Sequence, residues 1–193
     1  MRIAIIDESG LRATILEEGL RDAGFDDIEV VQPRSGFVAR LERMAPDVVL
    51  MNLGNPSRDS LEEMLAVSRA LARPIAMFVD QSDDAMIGAA IDAGVSAYVV
   101  DGLRKDRVKP ILDLAIRRFN AFARLQSELD EARGELAERK AIDRAKTILM
   151  ESRKLPEAEA YALLRTTAMN QGRRIAEVAE ALITAASLLG DPR

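Results

Sequence analysis

The sequence predicts an α/β fold: a five-stranded parallel, doubly wound sheet followed by a coiled-coil helix and a three-helix module. Three observations predict it. Short apolar runs rich in Ile and Val alternate with amphipathic stretches as far as Phe119, apolar residues recur at alternating intervals of three and four from Phe122, and the periodicity is helical throughout from Arg139. The chain has 193 residues, 48% of them hydrophobic, enough for one full domain and a smaller companion without disulfide support.

The runs Ile3 to Ile6, Ile28 to Val31, Val48 to Met51, Ile75 to Val79 and Ala97 to Val100 are too short for free helices and read as buried strands. Between them, Leu11, Ile15, Leu16 and Leu20, and then Leu61, Met64, Leu65 and Val67 to Leu71, keep the spacing of helices packed on a sheet. Gly24, Gly94 and the Arg73-Pro74 step supply helix stops. Strands alternating with helices imply parallel pairing, because each right-handed crossover lays its helix on a sheet face. Residues 1–120 are assigned to this domain.

The last helix of that domain is expected to run on into a coiled coil over 121–138. There Phe122, Leu125, Leu129, Ala132 and Leu136 trace about two heptads of an a/d seam flanked by charged residues, which could join a homodimer; one surface helix packed on its own domain has the same spacing. Residues 139–193 form the third segment: a helix from about Arg139 to Arg153, a second opening at Pro156 in an N1-like position ahead of Glu157 and Glu159, and a third from about Arg174 to Leu189. Gly172 and Gly190 are expected to close the second and third. A module this small has little core of its own and leans on the coiled coil or on a dimer mate.

The chain has no Cys and no His. A thiol nucleophile, a structural zinc site and an imidazole relay are therefore excluded, leaving carboxylates, amines and hydroxyls; as no base or nucleophile converges with Asp7 and Glu8, neither an enzyme nor a cofactor is expected. Met1 leads directly into Ile3-Ala4-Ile5-Ile6 without a basic leader or cleavage site, and no apolar run approaches the roughly 18 residues that cross a bilayer. A cytoplasmic protein with no membrane contact is expected.

The formal charge of -5 is unevenly shared: residues 1–119 hold 15 basic against 20 acidic residues, and 120–193 hold 12 of each. Within 139–174, nine basic residues stand against four acidic ones. Such a surface attracts phosphates, although a solvated helix face has the same composition.

In a doubly wound sheet, ligands bind beyond the carboxyl ends of the strands, where the strand order reverses. The residues there are Asp7 and Glu8, Asn52, Val79 and Asp80, and Asp101. With Asp7-Glu8, Pro46-Asp47-Val48-Val49-Leu50-Met51-Asn52-Leu53, Asn55-Pro56 and Ala93-Gly94-Val95-Ser96-Ala97-Tyr98, residues 1–120 resemble the response-regulator receiver domain, a flavodoxin-like fold. The resemblance implies an acidic pair that holds magnesium, an aspartate acceptor, a hydroxyl after the fourth strand and a lysine after the fifth. This chain keeps Asp7 and Glu8 but has Asn52 at the acceptor position, Val79 at the hydroxyl position and Asp101 at the lysine position. An amide cannot form the acyl phosphate that a carboxylate makes, and its neutrality weakens a hard-cation site. A pseudo-receiver is expected, with Asp7 and Glu8 an acidic rim holding magnesium weakly at most.

The stretch from Arg139 to Met150, with Glu157 to Arg165, Thr166-Thr167-Ala168-Met169 and Arg174 to Ala179, resembles the ANTAR domain of AmiR- and NasR-type transcription antiterminators. The departures are Thr147 and Lys154, each standing where the family often has Gly. By helical spacing, Ala145, Leu149 and Met150 share one face, and Ala160, Tyr161, Leu164 and Ala168 another, so Tyr161 reads as a core residue. The resemblance implies RNA binding: paired hairpins in leader RNA are held so that a terminator does not form. Arg144, Lys146, Arg165, Arg173 and Arg174 are the candidates for phosphates and splayed loop bases.

The segments Ala4 to Ser9, Asn55 to Asp59, Pro74 to Asp83 and Phe119 to Gln126 are most similar to NasT-like nitrate-assimilation regulators. That group implies control by a nitrate- or nitrite-binding sensor protein rather than by phosphorylation. Two other classes remain open: a phosphorelay response regulator acting on DNA through its third module helix, and a protein-binding adaptor without RNA binding.

Overall fold

The computed structural model describes residues 1–7, 10–34, 36–54 and 58–189. Glu8, Ser9, Asn55 to Ser57 and Gly190 lie outside the described residues. Strands β1 (Ile3–Asp7), β2 (Ile28–Val31), β3 (Val48–Leu53), β4 (Ile75–Val79) and β5 (Ala97–Val100) form one sheet in the order β2-β1-β3-β4-β5, every pair parallel. Helices α1 (Leu11–Asp22), α2 (Phe37–Met44), α3 (Arg58–Leu71) and α4 (Asp84–Asp92) alternate with them. Helices α5 (Lys105–Arg153), α6 (Glu157–Gln171) and α7 (Ile175–Leu189) follow.

Strand alternation divides the apolar residues between two faces. Ala4, Ile6, Val49 and Met51 pack under α2 and α3 with Leu41, Met64 and Leu65, whereas Ile3, Ile5, Leu50 and Phe78 pack against Leu16 and Leu20 of α1 and Val108 and Leu112 of α5. Cover on both faces is why these strands read as unbroken apolar runs. The order reverses at β1, and both β1 and β3 extend beyond the apolar runs, so that Asp7 pairs with Asn52 in the ladder.

Gly19 sets the approach of α1 to α5. A Cβ there would stand 2.9 Å from the Lys105 carbonyl oxygen and from Val108 Cγ2. Because one of those atoms is backbone, Gly19→Ala is expected to lower stability by about 1–3 kcal/mol, read from a urea melt.

The chain divides into two compact units, Met1–Arg124 and Leu125–Arg193, with the boundary inside α5. The new helix expected near Arg139 does not begin there: α5 is one 49-residue helix. After Pro110 it meets no proline, and its lone glycine, Gly134, costs a helix only about 1 kcal/mol.

In the second unit, Ala145 and Leu149 of α5, Ala160, Leu164 and Ala168 of α6, and Val178 and Ala179 of α7 form the core. Two placements differ from the sequence reading. Tyr161 and Met150 are exposed, because the four-residue spacing of Ala160, Leu164 and Ala168, and of Ala145 and Leu149, already fills the inner faces and leaves the following residue at the rim. Helix α6 ends at Gly172 in the left-handed region, as its sequence requires, while Pro156 is the residue before the first turn rather than within it.

Lys154, immediately after α5, has φ 56°, which explains why glycine suits this position. Lys154→Gly is expected to stabilise the second unit by about 0.5–1 kcal/mol, since relief of the left-handed strain outweighs the added freedom of the unfolded chain. A thermal melt by circular dichroism checks this.

Candidate functional site

At the carboxyl end of the sheet, Asp7 is 1% exposed and Asn52 3%. The Asn52 amide Nδ2 donates to Asp7 Oδ2 at 2.9 Å, and the Gly10 backbone N–H donates to Asp7 Oδ1 at 3.0 Å. A buried carboxylate is tolerable because these donors answer its charge. The other end of the same amide, Asn52 Oδ1, is buried without a hydrogen-bond partner.

Arg12, on the first turn of α1, reaches across to Asp80 after β4: Nη1 donates to Oδ1 at 2.7 Å and Nη2 to Oδ2. The Asp80 hydrogen bond, and then the charges of Asp80 and Asp7, push the Arg12 guanidinium above its ordinary value against the opposing cost of burial. Val79 is a buried strand residue with no side-chain donor. Asp101 is exposed with φ 48°, and its backbone N–H donates to the Val79 carbonyl at 2.9 Å. Asn52, Val79 and Asp101 are thus at the ends of β3, β4 and β5, and Glu8 lies outside the described residues. Sequence reasoning missed Arg12, because a lone arginine in the first turn of an amphipathic helix carries no spacing signal.

In the second unit the five basic candidates do not converge on one surface. Arg165, Arg173 and Arg174 line one groove of about 510 Å³ with Glu138, Ile142, Met169 and Ile175. Arg174 donates to Glu138 Oε1 at 2.6 Å and to Glu177 Oε1 at 3.1 Å, while Arg173 Nε donates to Glu177 Oε2 at 3.4 Å. These two guanidinium groups, Arg174 foremost, hold the Glu177 carboxyl below its ordinary value. Arg165 is exposed and has no acidic partner among the described residues. Arg144 lies elsewhere, in a groove with Ile148, Glu151, Ile183 and Ser187.

Lys146 is only 17% exposed at its side chain and bridges Asp143 at 2.8 Å and Glu157 at 2.7 Å, tying α5 to α6. The Asp143 bond, and then the Glu157 bond, raise the Lys146 ammonium, and Lys146 in turn lowers Asp143. Since the folded Asp143 value lies below the ordinary one, the clamp is complete above the ordinary carboxylate range and is lost as pH falls through the folded value. Its lysine side persists until pH rises past the ordinary lysine range. Melts of wild type and Lys146→Met are therefore expected to differ at neutral pH and to converge in acid.

Phe122, Leu125, Leu129 and Leu136, at the spacing of the expected seam on α5, are 45% to 70% exposed. Among the described residues no helix is long and apolar enough to cross a membrane.

The sequence model of the ANTAR domain matches residues 130–183. The transcriptional regulatory protein PdtaR of Mycobacterium tuberculosis is 27% identical over 192 residues, covering 100% of this chain and 92% of its own. The nitrate regulatory protein of Klebsiella oxytoca is 34% identical over 80 residues, 42% of this chain and 20% of its own. The CheY-like receiver domain from Methanospirillum hungatei superposes with a TM-score of 0.51 at 16% identity, covering 62% of this chain and 97% of that one. Residues 130–183 thus match the ANTAR domain, and they follow a domain with the fold of a response-regulator receiver.

Proposed function

We propose that the chain is a cytoplasmic transcription antitermination regulator that binds leader-RNA hairpins through its ANTAR domain. The observation that carries this is the groove in which Arg165, without an acidic partner among the described residues, stands beside Arg173 and Arg174 over an apolar floor of Ile142, Met169 and Ile175. A hairpin offers phosphates to such guanidinium groups and an unstacked loop base to such a floor. Arg144 adds phosphate attraction from a separate groove. Lys146, its charge answered by Asp143 and Glu157, acts chiefly as the clamp between α5 and α6.

The regulator works as a homodimer, joined where Phe122, Leu125, Leu129 and Leu136 stand exposed on α5. Control comes from a partner sensor protein of the nitrate- or nitrite-binding kind and not from phosphoryl transfer. The amide at Asn52, already donating to Asp7, is no nucleophile, Val79 offers no donor, and Asp101 repels an incoming phosphate. The similarity to the nitrate regulatory protein supports nitrate or nitrite as the signal. Addition of either anion is expected to dissociate the regulator from its co-purified sensor.

Binding to a two-hairpin leader RNA over a salt series tests the RNA reading. Arg165→Ala is expected to weaken binding by about 1–3 kcal/mol and to reduce the salt slope by about one. An affinity and slope equal to wild type would remove Arg165 from the interface.

A further inference from the structure

A receiver fold implies a divalent cation between the acidic residues at the ends of β1 and β3, and the side chains described there do not fit one. Asp7 accepts hydrogen bonds on both oxygens, from Gly10 and Asn52, and among the described residues no group of three or more acidic side chains is placed to hold a metal. A cation is nonetheless there, supplied by the chain itself. Arg12 reaches from α1 to Asp80 with both terminal nitrogens. Gly54 leaves room for it: a Cβ there would stand 3.2 Å from Arg12 Nη1 and 3.5 Å from Asp80 Oδ2.

We propose that the Arg12 side chain, paired with Asp80, takes the place of a divalent cation at the carboxyl end of the sheet, so that the site needs and admits no metal. This inference rests on the reading of the domain as a receiver that does not accept phosphoryl groups, and it assigns what holds the site in its stead. A guanidinium suits the task because it is always charged, and its planar fork matches a carboxylate with two hydrogen bonds. Unlike magnesium, it is covalently tied to α1 and cannot exchange, so the charge balance is fixed when the domain folds. Removing it leaves the Asp80 carboxylate without its guanidinium partner, at the same end of the sheet as Asp7 and the unpartnered Asn52 Oδ1, and carboxylate and amide oxygens are hard donors of the type that hold magnesium and manganese. Arg12 is therefore a positioning residue, and its loss is expected to create a metal site rather than destroy one.

The test is a Mn2+ titration of the whole protein followed by electron paramagnetic resonance, paired with melts in Mg2+ and in EDTA at matched ionic strength. Wild type is expected to take up no Mn2+ and to melt at one temperature in both media. Arg12→Ala is expected to take up one Mn2+ per chain, to melt below wild type in EDTA and to regain part of the loss in Mg2+. Uptake of Mn2+ by wild type, or its stabilisation by Mg2+, would overturn the proposal, and that arm needs no variant. So would an Arg12→Ala or Arg12→Gln protein that is folded yet takes up no Mn2+, since Arg12 would then be an ordinary ion pair. Mass spectrometry of wild type after treatment with a small phosphodonor reads the underlying premise separately: a chain that gains no phosphoryl group and yet binds Mn2+ overturns only this proposal.

Discussion

Replacing Asn52 by aspartate is expected to destabilise the first unit by about 3 kcal/mol at neutral pH, and not to restore a phosphoryl acceptor. The substitution removes the Nδ2 donor that lies 2.9 Å from Asp7 Oδ2 and puts a second carboxylate in its place, at a position only 3% exposed. Two carboxylates sharing a buried site cannot both ionise cheaply, so one of them titrates well above its ordinary range. The folded protein then binds a proton more readily than the unfolded chain. The deficit is therefore largest above that raised value and fades as pH falls. A urea melt of wild type and Asn52→Asp at two pH values reads both effects. The exchange Asp7→Asn with Asn52→Asp rebuilds a carboxylate–amide pair and is expected to recover much of the loss, a non-additivity that a double-mutant cycle measures. Equal stability of Asn52→Asp and wild type would show that the Asp7–Asn52 bond contributes nothing.

The seam on α5 carries the second large effect. Leu125→Lys with Leu129→Lys changes two exposed residues, so the fold is expected to persist while the proposed homodimer is lost. Two linked modules gain avidity on paired hairpins through effective concentration, about 10²- to 10⁴-fold. The double variant should sediment as a monomer, lose affinity of that order for the two-hairpin RNA, and bind a single hairpin as wild type does. A variant that remains dimeric, or that keeps its affinity for the paired hairpins, would place the dimer contact elsewhere.

The strands were legible because a sheet covered on both faces leaves runs such as Ile3 to Ile6 with no polar position to blur them, and the alternation of five such runs with helices points to a doubly wound parallel sheet through the rules for parallel crossovers. Helix ends were less so. The continuity of α5 through Arg139 reflects the absence of any strong breaker, and the inward reading of Tyr161 failed because a small-residue face of Ala160, Leu164 and Ala168 closes without it. At the sheet end, the identities of Asn52, Val79 and Asp101 are what the expectation of a receiver without phosphoryl transfer rests on. What took over the charge balance was hidden: Arg12 and Asp80 are 68 residues apart, and only the folded crossovers bring them together. In the ANTAR domain, composition revealed a basic segment but not which charges are free. That distinction depends on Glu138, Asp143, Glu157 and Glu177, whose pairing is set by how α5, α6 and α7 pack.

The central claim, that this chain acts on nascent RNA without phosphoryl transfer, is tested most directly by transcription in vitro across a terminator preceded by paired leader hairpins. The purified chain is expected to raise readthrough, equally with and without a small phosphodonor, and to lose that effect on a template whose hairpin loops are scrambled. Readthrough that is unchanged by the protein, indifferent to the loops, or dependent on the phosphodonor would contradict the account.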